Sequence, residues 1–377
     1  YTERGWTVDN LWHIFTDFYG GQYVPLAFLS YLVLYAGFGY DPFYFHMFSL
    51  LLHIGCVCLV WKLISSLLRV HGGVSEKQIL YVNFITTLLF AVHPINVEAV
   101  AWISALKVLL YAFFYLLGLL CYLRYIRTSK IFYYVLTIGC FLCSFWGKEQ
   151  AVTFPLALLI VDWFTNRNMK NLEVWSEKMS FLIMAFFFGI ITVLSQGKGP
   201  YEMIFPLYQR LLFGCFALVE YITKSLLPVN LNFFYPFPIV LGEEPPLHYY
   251  LYPVVLLFLM GWIIAYRNNR YLVFGVLLFL VNLLFSIHLF NMSRHAIVAD
   301  RYMYLSYVGI AFLIANGIWW LRKRLSYFKA ALVFLFFYCF FLSVYTFHYT
   351  KKWENTTMVK KYTKEVLEKR LNGSNHL

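Results

Sequence analysis

The most regular feature of the sequence is a series of long apolar runs separated by short polar segments. A helix that crosses a bilayer needs about 20 mostly apolar residues, and scanning for such runs predicts about ten membrane spans. The predicted spans cover residues 43–64, 78–95, 108–126, 131–147, 151–164, 179–196, 249–266, 271–290, 303–321 and 330–349. The pattern therefore predicts an all-α integral membrane protein, a polytopic helical bundle.

Basic residues between the runs predict the orientation of this bundle. They gather in five loops, which contain Lys62, Arg69 and Lys77; Arg124, Arg127 and Lys130; Arg167, Lys170 and Lys178; Arg267 and Arg270; and Arg322, Lys323, Arg324 and Lys329. The positive-inside rule places these loops in the cytoplasm. The intervening loops, around residues 93–107, 148–150, 197–244 and 291–301, are then external or luminal, as are both termini.

The same pattern divides the chain into three parts. Residues 1–41 form a first external loop with two amphipathic, interfacial helices at 10–19 and 25–38. Residues 42–350 form the transmembrane domain. Within it, 205–245 stays external, and its apolar stretch 206–228 is predicted to be re-entrant or interfacial because both flanking loops are external. Residues 351–377 form a polar external tail that permits a helix.

Composition agrees with a lipid environment, since 61% of the 377 residues are hydrophobic and only 13% are charged. The net charge of +12 lies mainly in short loops, which indicates orientation signals and predicts no nucleic-acid partner. The seven Cys lie in apolar runs and are interpreted as buried thiols. Cys140 and Cys143 have no His or second Cys pair nearby, so no metal site is predicted.

Ionisable and aromatic side chains near span ends on the external side are the candidates for chemistry, because charges at membrane depth are expensive. A cavity with several cations and a few carboxylates suits a substrate that carries phosphate. We expect Lys148, Arg294 and Arg301 to bind phosphate, with Asp300 orienting the Arg301 guanidinium. The carboxylates to test for catalysis are Glu98 and Asp300, and the predicted substrate cavity adds Tyr23, His93, Glu149, Tyr235 and Tyr302.

Simpler interpretations exist for each of these motifs. Lys148 and Glu149 could pair at a helix junction. Asp300 and Arg301 could form a helix cap and an ion pair that open the next span. His93 precedes Pro94 and could simply end a helix.

Taken in order, the motifs resemble the membrane part of the transmembrane and tetratricopeptide-repeat O-mannosyltransferase family and its bacterial relatives. The similarity extends from about Trp6 to Trp353. It is carried by Tyr23 and Pro25, His46 and the stretch 50–53, the His-Pro-Ile-Asn-Val-Glu string at 93–98 with Trp102, Gly-Lys-Glu-Gln at 147–150 with Pro155, Asp162-Trp163, Asn-Phe-Phe-Tyr-Pro-Phe-Pro at 232–238, and Ala-Asp-Arg-Tyr at 299–302.

This resemblance implies the fold of C-type glycosyltransferases (GT-C), with the active site on the external face. It also implies a polyprenyl-phosphate sugar as donor and a hydroxyl of a protein or glycan as acceptor. No cofactor is firmly implied, and the need for a divalent metal stays open. The bacterial relatives favour the bacterial plasma (inner) membrane as location, with the endoplasmic reticulum membrane as the eukaryotic equivalent.

The chain departs from the family pattern at several positions. The resemblance places the paired aspartate that serves as base before Tyr1. Leu106 and Val108, which flank Lys107, replace a basic residue and an aspartate, and Val24 replaces a His before Pro25. These departures favour an alternative, a non-catalytic membrane subunit or scaffold of a larger complex. A transporter is the third hypothesis, although the sequence shows no internal repeat of the expected kind.

Overall fold

The computed structural model describes residues 1–196, 205–289 and 296–374. Within these ranges the chain forms helices and turns and contains no β-strand. The α-helices are α1 (Val8–Thr16), α2 (Pro25–Phe38), α3 (Pro42–His71), α4 (Glu76–Val92), α5 (Val97–Ala101), α6 (Leu106–Thr128), α7 (Ile131–Gly147), α8 (Phe154–Phe164), α9 (Leu172–Gln196), α10 (Leu207–Leu226), α11 (Leu251–Ala265), α12 (Arg270–Leu283), α13 (Met303–Trp320), α14 (Leu325–Thr350) and α15 (Thr356–Ser374).

The number of spans differs from the sequence prediction. Among the described residues, six helices are long and apolar enough to cross a membrane, or up to seven if a bent pair counts as one span. The six are Pro42–His71, Ile103–Thr128, Leu172–Ser195, Leu247–Ala265, Asp300–Lys323 and Leu325–Trp353. The all-α membrane class is confirmed, whereas about ten spans are not supported.

Short and bent helices explain the difference. The run predicted at 78–95 ends in a 50° bend between Glu76–Val92 and Pro94–Ala101, because Pro94 cannot continue the helix. The run at 151–164 contains an α-helix of only 11 residues, α8. The run at 271–290 forms α12, which has 14 residues. Hydropathy detects an apolar run but does not detect where the helix within it breaks.

Local signals in the sequence determine many helix ends. Asp41 opens α3, where its carboxylate accepts a hydrogen bond from the Phe43 amide at 3.0 Å and Pro42 occupies the first turn. Ser75 caps α4 in the same way. Between α1 and α2, Gly20 and Gly21 adopt positive φ angles of 54° and 73°, which residues with a side chain rarely adopt.

The central helices pack closely where small residues meet. A side-chain carbon added to Gly309 of α13 would lie 2.5 Å from the Gly275 carbonyl oxygen of α12. One added to Gly147 of α7 would lie 2.7 Å from the Tyr111 amide nitrogen of α6. Such contacts allow two backbones to approach each other, which is the usual packing solution in membranes.

Two predictions about the external segments need correction or refinement. The helix at 25–38 is present, but α2 is apolar on all sides and packs on α3, α6 and α7, so its predicted amphipathic character is wrong. The stretch 206–228 contains one continuous 20-residue helix, α10, which packs against α11 and α13. Its sidedness stays a prediction. The tail contains the helix α15, as its sequence permits.

Candidate functional site

Glu98 and Arg301 form the closest ion pair between two distant segments on the predicted external side. Glu98 lies in the short helix α5, and Arg301 lies in a single turn of 3-10 helix, Asp300–Tyr302, that leads into α13. One Glu98 oxygen accepts a hydrogen bond from the Arg301 amide at 2.7 Å, and the other accepts one from the guanidinium. Glu98 is fully buried, whereas 19% of the Arg301 side chain remains exposed. The pair therefore fixes the guanidinium and leaves part of it accessible.

Asp300 does not orient Arg301, which corrects the sequence prediction. Its carboxylate is fully buried and accepts hydrogen bonds from the Tyr235 hydroxyl, with both oxygen distances 3.0 Å. Lys224 of α10 donates to the same hydroxyl at 2.8 Å and lies 4.0 Å from Asp300. Consecutive residues of one tight turn point to different sides, so Asp300 and Arg301 have separate partners. Asp300 joins the turn to α10 and to the loop that contains Tyr235.

The state of Tyr235 follows from this environment. Burial, and then the nearby Asp300 carboxylate, raise the pKa of Tyr235 well above its usual value. The hydroxyl therefore keeps its proton and donates a hydrogen bond to Asp300. Its loop is also held to the segment before Asp300 by a β-bridge between Tyr235 and Val298.

Two cations lie against the ring of Tyr302, and a third lies within electrostatic range of it. The Lys148 ammonium lies 4.6 Å from the ring centroid, and the Arg301 guanidinium lies 5.1 Å from it. Lys107, in the first turn of α6, interacts electrostatically with Tyr302, Arg301 and Glu149. We call Lys107, Lys148, Glu149, Arg301 and Tyr302 the Tyr302 site. Its positive charges can hold phosphate oxygens.

The carboxylate of the Tyr302 site is Glu149. It begins the 3-10 helix Glu149–Thr153 directly after Lys148, which has extended backbone angles. Its Oε2 atom is buried and has no hydrogen-bond partner among the residues that the structure describes. Among the described residues, no ion pair within 4.0 Å joins Lys148 to Glu149. The simple pair at a helix junction is therefore not formed.

The other predicted site residues have local contacts. His93 is buried, accepts a hydrogen bond from the Ile95 amide at 3.2 Å and lies with its ring 4.1 Å from that of Tyr307, in keeping with its position at a helix end. Tyr23 donates a hydrogen bond to the Phe15 carbonyl at 3.0 Å. Arg294 falls outside the described residues.

Sequence reasoning missed Lys107 as a member of the Tyr302 site and Lys224 as a neighbour of Tyr235 and Asp300. Lys107 lies between the two departures from the family pattern, and its ammonium donates to the Gln22 side chain at 2.5 Å. Lys224 lies in the stretch 206–228 that the sequence predicts to be re-entrant or interfacial, yet its side chain is buried. Its spacing of four residues from Glu220, which lies 3.5 Å away, was the available signal.

A second charged cluster, which the sequence did not predict, lies near the other end of α6. Lys178 is fully buried and lies 2.5 Å from Asp162 and 3.0 Å from Glu177. Arg167 binds Glu177 through two nitrogens at 2.6 and 3.0 Å. The Tyr122 hydroxyl donates to both oxygens of Asp162. We call these five residues the basic-side cluster. The interpretation of Lys178 as an orientation signal required a solvated charge in a loop. Its side chain is instead buried, so that interpretation is wrong.

An open cavity of about 440 Å³ lies between the first loop, the start of α3 and the turn that precedes α6. Its lining is aromatic and carries hydroxyl groups, among them those of Tyr19, Tyr31, Tyr40 and Ser104. Ser104 belongs to the turn Ile103–Ala105, which directly precedes α6 and Lys107. The Tyr31 hydroxyl donates to the Ile103 carbonyl at 2.8 Å and so connects the first loop to this turn.

Comparison with known proteins agrees with the motifs. Neither a protein-family model nor a solved structure matches the chain. Among curated proteins it is similar to protein O-mannosyl-transferase TMTC2 of Mus musculus, with 32% identity over 189 residues, which are 46% of this chain and 21% of the mouse protein. It is 33% identical to TMTC2 of Homo sapiens over the same number of residues, again 46% of this chain and 21% of the relative.

A more distant relative is protein O-mannosyl-transferase Tmtc3 of Drosophila melanogaster, with 28% identity over 172 residues, 41% of this chain and 18% of the fly protein. The chain thus spans about a fifth of the length of the curated relatives it matches. These relatives are animal proteins and give no support to the expected bacterial membrane. The resemblance predicted from the motifs is confirmed: this chain is similar in sequence to the transmembrane and tetratricopeptide-repeat O-mannosyltransferases.

Proposed function

We propose that this chain is the membrane part of a glycosyltransferase that transfers mannose from a polyprenyl-phosphate donor to a hydroxyl of a protein. The observation that supports this proposal best is the position of Lys148 and Arg301 against the Tyr302 ring, with Lys107 within electrostatic range, at helix ends that the sequence predicts to be external. The names of the relatives support mannose as the sugar and a protein as the acceptor. The reaction takes place on the luminal face of the endoplasmic reticulum membrane.

The cations act on the leaving group. During transfer, the acceptor hydroxyl attacks the anomeric carbon, the bond from that carbon to the phosphate oxygen breaks, and negative charge grows on the polyprenyl phosphate. A guanidinium held in place before the reaction stabilises that charge more than it stabilises the ground state. Arg301 meets this requirement, since Glu98 holds it and part of its surface stays accessible.

The two carboxylates that we selected for catalysis have positioning roles in this proposal. Glu98 binds Arg301, and Asp300 binds Tyr235. A base must reach the acceptor proton within about 3 Å, directly or through one water. Two fully buried carboxylates with these partners are poorly suited to that task. We propose that the base comes from the segment before Tyr1, where the resemblance places the paired aspartate, and that the acceptor approaches through the cavity beside Ser104.

One observation favours the alternative, a non-catalytic membrane subunit. Val24 and Leu106, which replace polar residues of the family pattern, lie in one apolar cluster with Ala27 and Leu110. The residues at these two positions therefore belong to one apolar cluster, where the family pattern has polar residues. Lys107 still supplies a positive charge at this place, which is why we favour the enzyme.

The test uses the full-length native protein in nanodiscs with dolichyl phosphate mannose as donor. We expect the wild-type protein to bind dolichyl phosphate, as detected by native mass spectrometry, and to transfer or hydrolyse radiolabelled mannose. Binding without turnover would favour a descendant that keeps the donor site but has lost catalysis. Absence of both binding and turnover would overturn the proposed function.

A further inference from the structure

An aromatic cluster connects the site to the tail of the chain. The ring of Trp102 lies 5.2 Å from that of Phe233, in an edge-to-face arrangement, and 6.3 Å from that of Trp353. Phe233 and Trp353 lie 5.7 Å apart. We call Trp102, Phe233 and Trp353 the tryptophan bridge. It combines the end of α5, the loop before Tyr235 and the segment between α14 and α15.

On one side the bridge contacts Arg301. The guanidinium carbon lies 5.2 Å from the centroid of the Trp102 ring, a distance at which a cation is attracted to the face of an indole. Trp102 also follows Glu98 by one turn, and its amide donates to the Glu98 carbonyl at 3.3 Å. The segment that supplies the carboxylate for Arg301 thus also supplies an aromatic face for it.

On the other side the bridge contacts the start of the tail helix. Trp353 is 7% exposed and lies one turn before α15. Val359 and Tyr362 of α15 pack against the same apolar cluster, and the Tyr362 hydroxyl donates to the Leu231 carbonyl at 3.2 Å. The helix before it, α14, has its own connection to the bundle, since Thr346 donates to the Val92 carbonyl at 2.8 Å.

We propose that Trp102 is a positioning residue for Arg301, and that Trp353 holds Trp102 in place. Docking of the tail helix α15 is thereby coupled to the geometry of the guanidinium. The role in donor binding rests on the proposed function, whereas the coupling itself does not. An aromatic partner of this kind changes the affinity for an arginine contact by about tenfold, which is the expected effect of its loss on donor binding.

The test compares four variants of the full-length native protein: Trp353→Ala, Trp353→Phe, Trp102→Ala and the double variant Trp102→Ala/Trp353→Ala. Trp320→Ala is the matched control, because Trp320 is 66% exposed and lies at the end of α13 away from the site. The first readout is hydrogen–deuterium exchange of the segment around Arg301, whose amide donates to Glu98. It needs no ligand.

We expect faster exchange at Arg301 in Trp353→Ala and Trp102→Ala, near wild-type exchange in Trp353→Phe, and no change in Trp320→Ala. The double variant should exchange no faster than Trp102→Ala, because Trp353 acts through Trp102. Unchanged exchange in the alanine variants would overturn the coupling. Because this readout is independent of donor, it remains decisive even if the wild-type protein proves not to bind dolichyl phosphate.

The second readout is the affinity for dolichyl phosphate, measured by native mass spectrometry on the folded fraction. We expect about tenfold weaker binding in Trp353→Ala and recovery in Trp353→Phe, whose smaller ring still fills part of the bridge. If exchange rises while the affinity stays at the wild-type value, the bridge has only a structural role at Arg301. If the wild-type protein shows neither affinity nor turnover, the proposed function is wrong but the coupling stands on the exchange result.

Discussion

The Tyr302 site and the basic-side cluster lie near opposite ends of α6 and use their charges differently. Lys107 and Tyr122 are 15 positions apart in this helix, or roughly 22 Å at 1.5 Å per residue. The basic-side cluster pairs two cations with two carboxylates, and Lys178 and Asp162 are both fully buried. The Tyr302 site holds two cations against an aromatic ring and a third within electrostatic range, with part of Arg301 exposed.

This difference separates a structural cluster from a candidate binding site. In the basic-side cluster the charges neutralise each other within the protein and join α6, α8 and α9. Such an arrangement stabilises one geometry and leaves little capacity for a ligand. In the Tyr302 site, positive charge is held in place by aromatic and carboxylate neighbours, which is what a phosphate-bearing ligand requires. The comparison predicts that mutations at one end reduce stability and mutations at the other reduce activity.

The largest expected effect is on stability, at the basic-side cluster. Lys178→Met leaves Asp162 buried with one counter-charge fewer and should cost about 3–5 kcal/mol, the usual cost of removing one partner of a buried pair. Thermal denaturation of detergent-purified protein measures the loss. The double variant Lys178→Met/Asp162→Leu should recover most of it, since no unpaired charge remains. A single variant as stable as the wild type would remove the cluster from the structural role assigned to it.

The next effect is on turnover, at Arg301. Arg301→Ala should lower sugar transfer by about a hundredfold or more, some 3 kcal/mol, because the leaving phosphate loses its main electrostatic partner. Arg301→Lys should recover only part, since an ammonium lacks the planar fork of the guanidinium. Folded yield and specific activity are measured side by side. Normal specific activity in Arg301→Ala would contradict the mechanism.

A smaller effect distinguishes the two neighbouring carboxylates. Glu98→Gln removes the charge that orients Arg301 and should lower turnover by about tenfold, the value of one charge-assisted hydrogen bond. Asp300→Asn should reduce the folded yield and leave the specific activity of the folded protein unchanged. Steady-state kinetics with dolichyl phosphate mannose checks both variants. The opposite result would restore Asp300 as the residue that orients the guanidinium.

The affinity for the donor lipid should depend on the charge of Lys148. Lys148→Ala removes one cation beside Tyr302 and should weaken binding of dolichyl phosphate by about tenfold, because a phosphate contact with an ammonium is lost. Lys62→Ala is the control, since Lys62 is an exposed lysine on α3. Native mass spectrometry measures both. Equal affinities of the two variants would mean that the phosphate lies elsewhere.

Sidedness is tested without perturbing either cluster. Cysteines placed at Ser75 and Ser326 should react with an impermeant thiol reagent from the cytoplasm, and a cysteine at Glu243 should react from the lumen. The positive-inside rule is the basis for this expectation. Selective permeabilisation of the plasma membrane measures it. Reaction of the cysteines at positions 75 and 243 from the same side would contradict the orientation on which the proposed luminal location of the site depends.

The sequence alone determined the class of the protein and many of its helix ends. Apolar runs, composition and loop charges predicted an all-α membrane protein, and residues such as Asp41 with Pro42 marked where a helix begins. Motif order identified the related family and predicted that the segments around Glu98, Lys148 and Arg301 contribute to one candidate site. These are properties of local spacing and residue type, which a sequence displays directly.

Only the tertiary structure decided which charged side chains pair with each other. Glu98 and Arg301 are 203 positions apart, and no spacing rule indicates that Glu98, and not the adjacent Asp300, binds the guanidinium. Lys178 has the sequence context of a loop cation, yet it is buried beside two carboxylates. Asp162 comes from another helix, and Glu177 is the residue directly before Lys178. The number of membrane spans also depended on the tertiary structure, because bends and short helices interrupt runs that the sequence shows as apolar. A charged side chain is buried when its partners are near in space, and only the packing of the helices determines which residues meet.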